Sequence, residues 1–275
     1  MLTDYHLHLR ADERENTPER FFTPGNVDRY REAAEARGIT ELGVAEHIYR
    51  FTAALEIWQH PFWREFTHDD IDDYCGFVRE ETDLRLGIEM DFIPGREDRI
   101  ANVLDGREWD YVVGSVHFLR DHSLDTEDYS IWGAGESAEK IWRRYFDTVA
   151  ESARSGLYDI IGHPDLVKVW GKVAPRPDGD LRRYYEPAVE AFLDADVAVE
   201  LSTAGWRKPV AEQYPSVPFL EMLVDAGCPI ALSSDAHQPD QVGFEYERAV
   251  ELLESVGVRE IAVFEGRERR LESIG

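Results

Sequence analysis

Histidine and acidic residues in this 275-residue sequence recur where short apolar segments end. His6 and His8 are separated by one residue. Because side chains alternate along a strand, both imidazoles are predicted to face the same side. Asp235 and His237 have the same spacing, and the same geometry holds for them if their strand continues. Two such side chains on one face can bind a single metal ion, so these pairs predict metal ligation.

Six of the nine histidines lie at such segment ends, together with two acidic residues. The eight predicted metal ligands are His6, His8, His47, Glu89, His117, His163, Asp235 and His237. Glu89 can bridge two ions through its two oxygens, and imidazole with carboxylate is the ligand set of Zn, Fe or Mn rather than Ca. A single histidine is more often a core residue with ordinary polar partners. A shared metal cluster, however, would satisfy all of these buried groups at once.

The segments that must position these ligands alternate between short apolar stretches and helical stretches. Strands are predicted at 4–9, 42–46, 84–90, 111–116, 160–162, 198–201, 230–233 and 261–264. Helices are predicted at 26–37, 69–81, 137–154, 181–194, 218–226 and 244–255. This alternation is typical of a parallel α/β architecture, and about seven or eight such units fit a closed barrel better than an open sheet. The carboxyl ends of barrel strands build active sites, and the predicted ligands fall there.

Two long segments, 48–68 and 119–135, interrupt the alternation. Long loops in a compact domain are usually functional or disordered. The first segment contains Trp58, Phe62, Trp63 and Phe66, which favours an ordered lid. The three remaining histidines lie in these segments and are predicted to be surface or lid residues: His60, His68 and His122.

Composition narrows the function further. The chain has 30 basic and 56 acidic residues, a net charge of −26 and a pI of about 4.6. Nucleic-acid binding relies on basic surfaces, so no nucleic-acid partner is expected. The acidic excess favours solubility, and acidic walls also suit a cationic substrate or bound metals. With 43% hydrophobic residues and no dividing linker, the chain is predicted to form a single domain over 1–275.

The sequence also indicates a location. No apolar run is long enough to span a membrane, and the N-terminal residues do not resemble a signal peptide. Cys75 and Cys228 lie far apart, which argues against a disulfide scaffold and fits a reducing compartment. A cytoplasmic protein is therefore expected.

The order of the predicted ligands resembles that of the polymerase and histidinol phosphatase (PHP) superfamily, and the resemblance covers nearly the whole chain. Several blocks are similar to the histidinol-phosphate phosphatases within it. These are 111–119 (YVVGSVHFL), 162–168 (GHPDLVK), 202–208 (STAGWRK), 214–216 (YPS) and 233–237 (SSDAH).

The resemblance implies a distorted (β/α)7 TIM-like barrel that holds two or three divalent ions (Zn, Fe or Mn). Matching these residues to the motifs of the superfamily implies that the first ion is bound by His6, His8, Glu89 and Asp235. The second ion would be bound by Glu89, His117 and His163, and the third by His47 and His237. Many members carry a further histidine shortly after the His-x-His pair, and this sequence has none there. Asp12 or Glu13 can substitute; otherwise the third ion is weakly bound, replaced by water or absent.

The chemistry expected of such a centre is phosphate-ester hydrolysis by metal-activated water. Asp235, or His237 if it is not a full metal ligand, is expected to carry the proton to the leaving alkoxide. Asp165 is expected to orient His163 or a neighbour. No sequence motif for a serine nucleophile, a P-loop or a Rossmann glycine turn is visible.

The substrate phosphate also needs donors from the protein. Arg207, Lys208 and Lys168 follow predicted strand ends and are expected to contact it. Arg207 can alternatively pair with one of the many acids. Trp206 either packs on a substrate ring or fills the rim.

Three functions remain open on this evidence. The first is a metal-dependent phosphomonoesterase acting on histidinol phosphate, whose cationic groups suit acidic walls. The second is a PHP nuclease or nucleotide phosphatase, for which the net charge of −26 is unfavourable. The third is a non-catalytic metal-binding protein, which the complete ligand set disfavours.

Overall fold

Seven parallel strands form the centre of the fold in the computed structural model, which describes residues 1–11 and 18–274. In spatial order they are β1 (Thr3–Asp4), β2 (Glu41–His47), β3 (Arg85–Asp91), β4 (Tyr111–Ser115), β7 (Ile160–Ile161), β8 (Ala198–Ser202) and β9 (Ile230–Ser233). Neighbouring strands pair in parallel. A parallel bridge between Leu7 and Ala236 joins the segments after the first and last strands. The sheet is therefore a nearly closed barrel, which confirms the predicted (β/α)7 fold.

Ten helices lie between the strands in the part of the chain that the structure describes. They are α1 (Pro18–Phe21), α2 (Pro24–Glu35), α3 (Ala54–Ile57), α4 (Pro61–Phe66), α5 (Ile71–Glu81), α6 (Glu97–Leu104), α7 (Ala138–Arg154), α8 (Arg182–Ala195), α9 (Val217–Ala226) and α10 (Tyr246–Ser255). The longest, α7, buries Ile141, Trp142, Tyr145 and Val149, as its apolar spacing predicts. The sequence prediction missed α6. Within the described part of the chain, no helix has the length and apolar character needed to cross a membrane.

The segment predicted as an eighth strand does not join the barrel. β10 (Glu260–Glu265) pairs antiparallel with β11 (Glu268–Ser273) in a separate hairpin. The two turn residues, Gly266 and Arg267, both have positive φ, the geometry that favours a two-residue hairpin. The hydrogen-bond partner of β10 is β11, which follows it directly in the chain, and β10 does not pair with the strands of the parallel sheet.

The hairpin instead covers one end of the barrel. Phe264 of β10 packs edge-on against Tyr5 and lies beside the ring of Tyr111. Tyr111 occupies space that side chains on neighbouring strands leave open: a Cβ on Gly43 or Gly87 would lie 2.4 Å from atoms of its ring or hydroxyl. Because side chains fill this end of the barrel, the functional groups lie at the opposite end, where the carboxyl ends of the strands meet.

The two long segments contain structure of their own. Residues 48–68 include a 3-10 turn (Ile48–Arg50) and the helices α3 and α4, and residues 119–135 include the strand β6 (His122–Ser123), which pairs with β5 (Phe118–Leu119). Trp63 is fully buried, and Trp58 is buried and stacks on His60.

Candidate metal centre

The eight predicted ligands converge at the carboxyl end of the barrel. His47 and Glu89 lie on β2 and β3, and the others follow strand ends. The ligand atoms form four groups, each within 4.8 Å: His8, His47 and His237; His6, His8 and Asp235; His6, Glu89 and His163; and His47, Glu89 and His117. The first group contains the predicted third set and adds His8, and the second is the predicted first set without Glu89. The other two divide the predicted second set, because His163 groups with His6 and His117 with His47.

Glu89 lies at the centre of this cluster. Its Oε1 is 3.0 Å from Nε2 of His163 and 3.4 Å from Nε2 of both His6 and His117. Its Oε2 is 3.7 Å from Nε2 of His8. The two oxygens thus face different imidazoles, which is the geometry of a carboxylate that can bridge two ions.

Asp235 and His237 reach the centre by a different route from the one predicted. β9 ends at Ser233, so the strand does not continue, and Asp235 adopts a left-handed backbone with φ of 50°. This turn, and not strand alternation, directs Asp235 Oδ1 to 3.4 Å from Nε2 of His8. Aspartate adopts this region more readily than most non-glycine residues, so the turn can hold the carboxylate in this direction.

Similarly, His6 and His8 lie beyond the regular strand, because β1 is Thr3–Asp4 and shares only Asp4 with the predicted range 4–9. Leu7 between them keeps an extended course through its bridge to Ala236. The alternation that places both imidazoles on one side therefore survives without continuous strand pairing. Asp12 and Glu13, the proposed substitutes for a further histidine, lie outside the described residues.

Several buried polar atoms of the cluster have no hydrogen-bond partner among the described residues. They are Nε2 of His6, both ring nitrogens of His8, Oε2 of Glu89 and Oδ1 of Asp235. Burying such atoms without partners is costly. Divalent ions bound by these imidazoles and carboxylates would satisfy them, so the donor set fits Zn, Fe or Mn.

Burial and neighbouring charges shift the pKa values of the cluster residues in different directions. Burial opposes ionisation of Glu89 and Asp235, but nearby imidazoles, led by His47 and by His6 respectively, hold the pKa of both carboxyls well below their usual range. Burial, reinforced by His237 and His47, lowers the pKa of His8 well below its ordinary value. Burial opposes protonation of His6 and His117 as well, but Glu200 and Asp91 respectively hold the pKa of His6 well above its ordinary value and raise that of His117 to about 10. Because ionised carboxylates and neutral imidazoles are the forms that bind metals, ions at this centre would displace protons from these two rings.

Two acidic residues that the sequence analysis did not single out orient the ligand histidines. Glu200 Oε1 lies 2.7 Å from Nδ1 of His6, and Asp91 Oδ1 lies 2.8 Å from Nδ1 of His117. Each contact turns Nε2 of the ring toward the centre, where it faces Glu89. Glu200 had a signal in the sequence, because a charged residue interrupts the apolar strand at 198–201.

Asp165 and Lys168 pair with each other rather than with the centre. Lys168 Nζ is 2.9 Å from Asp165 Oδ2, 2.9 Å from Glu212 Oε2 and 2.7 Å from the carbonyl of Gln213. Asp165 also accepts the backbone N–H of Ser216 at 2.8 Å. Asp165, which was expected to orient His163 or a neighbour, thus has Lys168 and Ser216 as its hydrogen-bond partners.

Arg207 lies next to the turn that carries Asp235. Its Nη2 donates to the carbonyls of Ser234 and Asp235, both at 2.9 Å. The guanidinium of Arg248 lies over the ring of Trp206, with its central carbon 4.2 Å from the ring centroid. This contact supports the interpretation that Trp206 packs at the rim of the site.

A cavity of about 450 Å³ opens beside the cluster. His47, His117, His163, Asp235 and His237 form one part of its lining. Aromatic side chains from the long segments and nearby loops form another, including Tyr49, Phe62, Phe66, Phe118 and Trp170. Lys208, which was expected to contact the phosphate, lines the cavity, and so does Arg50, a buried residue that the sequence analysis overlooked.

A nearly closed parallel barrel with histidines and carboxylates at its carboxyl end defines a metal-binding α/β barrel. The sequence of residues 23–204 matches the family model of the PHP domain. The probable histidinol-phosphatase of Deinococcus radiodurans is 34% identical over 267 residues, covering 94% of this chain and 95% of that protein. The histidinol-phosphatase of Bacillus subtilis is 27% identical over 244 residues, covering 81% and 91%. The chain therefore belongs to the PHP family.

The fold has solved counterparts. Histidinol phosphate phosphatase from Lactococcus lactis, complexed with zinc, L-histidinol and phosphate, matches with a TM-score of 0.72 at 20% identity and covers 98% of both chains. The putative histidinol phosphatase from Listeria monocytogenes gives a TM-score of 0.71 at 19% identity, covering 90% of this chain and 99% of that one.

Proposed function

We propose that this protein is a metal-dependent phosphomonoesterase that hydrolyses L-histidinol phosphate to L-histidinol and phosphate. The observation that carries this function is the gathering of eight histidine and carboxylate side chains around Glu89, beside an open cavity. The named activity of the relatives supports the choice of substrate, because they match over most of their length.

Two or three divalent ions would be held by the four groups of ligand atoms that share Glu89, His6, His8 and His47. Such ions acidify a water nucleophile toward neutrality and neutralise the phosphate oxygens. Glu200 and Asp91 keep the imidazoles of His6 and His117 turned toward them.

The protein's own groups supply the remaining functions. Lys208 and Arg50 line the cavity, and their positive charge supports the proposal that they contact the phosphate. Asp235 and His237 also line it, so either side chain is positioned to carry a proton to the leaving alkoxide. Arg207 holds the turn on which both of these residues lie.

The direct test measures phosphate release from L-histidinol phosphate, with nucleotides and p-nitrophenyl phosphate alongside, on protein of known metal content. We expect turnover that is selective for L-histidinol phosphate, lost after chelation and restored by adding Zn, Fe or Mn. Weak, comparable turnover of every ester would keep a metal phosphoesterase but remove the histidinol assignment. Preference for nucleotides would favour the nucleotide phosphatase. Metal-loaded, folded protein without turnover would overturn the enzyme assignment.

We also propose a cytoplasmic location. Cys75 and Cys228 are both free thiols, which suits a reducing compartment. Fractionation of the native cells checks this, and recovery from an oxidising compartment would contradict it.

A further inference from the structure

The cavity beside the metal centre contains an acidic side chain that metal binding does not explain. Asp125 lines this cavity together with His117, but it belongs to none of the four groups of ligand atoms. It lies in the long segment 119–135, directly after the short β5–β6 hairpin. A carboxylate in this position can recognise part of the substrate that lies away from the phosphate.

The carboxylate of Asp125 is only partly satisfied by the protein. Its Oδ1 accepts the hydroxyl of Ser123 at 3.0 Å. Among residues 1–11 and 18–274, no lysine or arginine forms an ion pair with Asp125, and its Oδ2 accepts no hydrogen bond. Lys208 and Arg50 line the same cavity without pairing with it. The cavity therefore contains a carboxylate with no lysine or arginine partner among the described residues, and His117 is the cationic neighbour whose pKa it helps to raise.

The backbone next to Asp125 is anchored. The carbonyl of Leu124 accepts the indole N–H of Trp170 at 2.7 Å and that of Trp132 at 3.2 Å. The N–H of Leu124 donates to the carbonyl of His117 at 2.9 Å. These hydrogen bonds fix the backbone of Asp125 relative to His117, which is a predicted metal ligand. Little conformational entropy of this loop is therefore lost when a substrate binds.

The surroundings favour a cation that is attached to an organic group. Phe62, Phe118 and Trp170 contribute aromatic surface to the cavity that contains Asp125. Such surfaces exclude water, which strengthens the attraction between a carboxylate and an ammonium group. A substrate whose phosphate lies at the metal centre can extend an amine toward Asp125 and lay a ring on the aromatic wall.

We propose that Asp125 binds the ammonium group of the substrate and makes the site select phosphate esters that carry a primary amine. This inference rests on the proposed function, because L-histidinol phosphate carries such an amine close to its phosphate. Asp125 is then a specificity-determining residue, and the metal cluster performs the hydrolysis.

The test compares two esters on the variant Asp125→Asn. Asparagine keeps an oxygen that can accept the hydroxyl of Ser123, so the turn is preserved while the charge is lost. The esters are L-histidinol phosphate and its amine-free analogue, 3-(imidazol-4-yl)propyl phosphate. We expect the ratio of kcat/KM for the first to kcat/KM for the second to fall by about 10- to 100-fold, the worth of a hydrogen bond to a charged group.

Glu127→Gln is the matched control, because Glu127 is an exposed acid in the same loop and does not line the cavity. It should leave the ratio at the wild-type value. Since both esters are measured on one preparation, partial misfolding of Asp125→Asn cancels from the ratio. An unchanged ratio, whether or not the two kcat/KM values fall together, would overturn the assignment.

Failure of the proposed function gives a different pattern. If the wild-type protein does not hydrolyse L-histidinol phosphate, the substrate assignment fails, while Asp125 is still tested with phosphoethanolamine against ethyl phosphate. A wild-type preference for the amine that Asp125→Asn removes would support Asp125. No preference in the wild-type protein would overturn it.

Discussion

Glu200 and His6 are joined by a buried contact of 2.7 Å between Oε1 and Nδ1. The other oxygen of Glu200 accepts the backbone N–H of His163, so a single carboxylate fixes two predicted ligands. We expect Glu200→Gln to weaken metal binding by about 10- to 100-fold, because partners of this kind set the orientation and basicity of ligand imidazoles. Metal titration of the chelated protein measures this.

Glu190→Gln is the control for that experiment, since Glu190 is an exposed glutamate on α8, the helix that precedes the strand of Glu200. Its metal affinity should equal that of the wild type. Equal affinity in Glu200→Gln and Glu190→Gln would show that the His6 contact does not matter for metal binding.

Local sequence patterns predicted a parallel α/β barrel, and they selected the histidines and carboxylates that the structure brings together at its carboxyl end. Strand and helix alternation comes from nearest-neighbour preferences, and His6 and His8 reveal their common face by spacing alone. The C-terminal hairpin was mistaken for a barrel strand because an apolar run does not specify its partner. In the structure, the turn at Gly266 and Arg267 decides the pairing.

The partners of charged groups were harder to predict, because they depend on contacts between distant segments. Lys168 was expected to bind phosphate because it follows a strand end. In the structure its ammonium group donates a hydrogen bond to Glu212, 44 positions further along the chain. Glu200 and His6 are 194 positions apart. Such pairings follow from the closed barrel and cannot be read from either segment alone.

The buried pair of Lys168 and Asp165 predicts a stability effect. Lys168→Met leaves the buried Asp165 carboxylate without its cation, so we expect the free energy of unfolding to fall by about 3–5 kcal/mol. Burial already raises the pKa of Asp165, and loss of Lys168 raises it further. A carboxyl whose pKa is higher in the folded state loses stability as pH rises, so the defect should be larger at pH 8 than at pH 5.

Denaturant unfolding at the two pH values measures this change. Lys172→Met is the control, since Lys172 is an exposed lysine of the same loop and its loss should change stability by less than about 0.5 kcal/mol. A Lys168→Met protein as stable as the control but with a raised KM for phosphate esters would instead return Lys168 to the phosphate site.

Burial also makes a prediction for the thiols. It raises the pKa of Cys75 from 9.0 to about 11 and does the same for Cys228. Since the thiolate is the reactive form, a raised pKa leaves less of it at a given pH, and we expect alkylation of the native protein at pH 8 to be about 100-fold slower than that of the unfolded chain. Iodoacetamide labelling followed by mass spectrometry measures both sites. Labelling of native Cys75 as fast as in urea would contradict the assigned burial.

Arg207 predicts a combined effect on metal and substrate. Its Nη2 holds the carbonyls of Ser234 and Asp235, while its buried Nη1 has no hydrogen-bond partner among the described residues. We expect Arg207→Ala to lower metal occupancy, because the turn carrying Asp235 loses two hydrogen bonds to a charged donor, and to raise the KM for phosphate esters about 10-fold or more. Arg248→Ala, which removes an exposed neighbour that contacts Trp206, should change neither quantity. A raised KM with full metal occupancy would show that Arg207 acts on the phosphate alone. Lowered metal occupancy, with a normal KM once the protein is saturated with metal, would show that it acts on the turn alone. Wild-type values of both quantities would exclude Arg207 from the site.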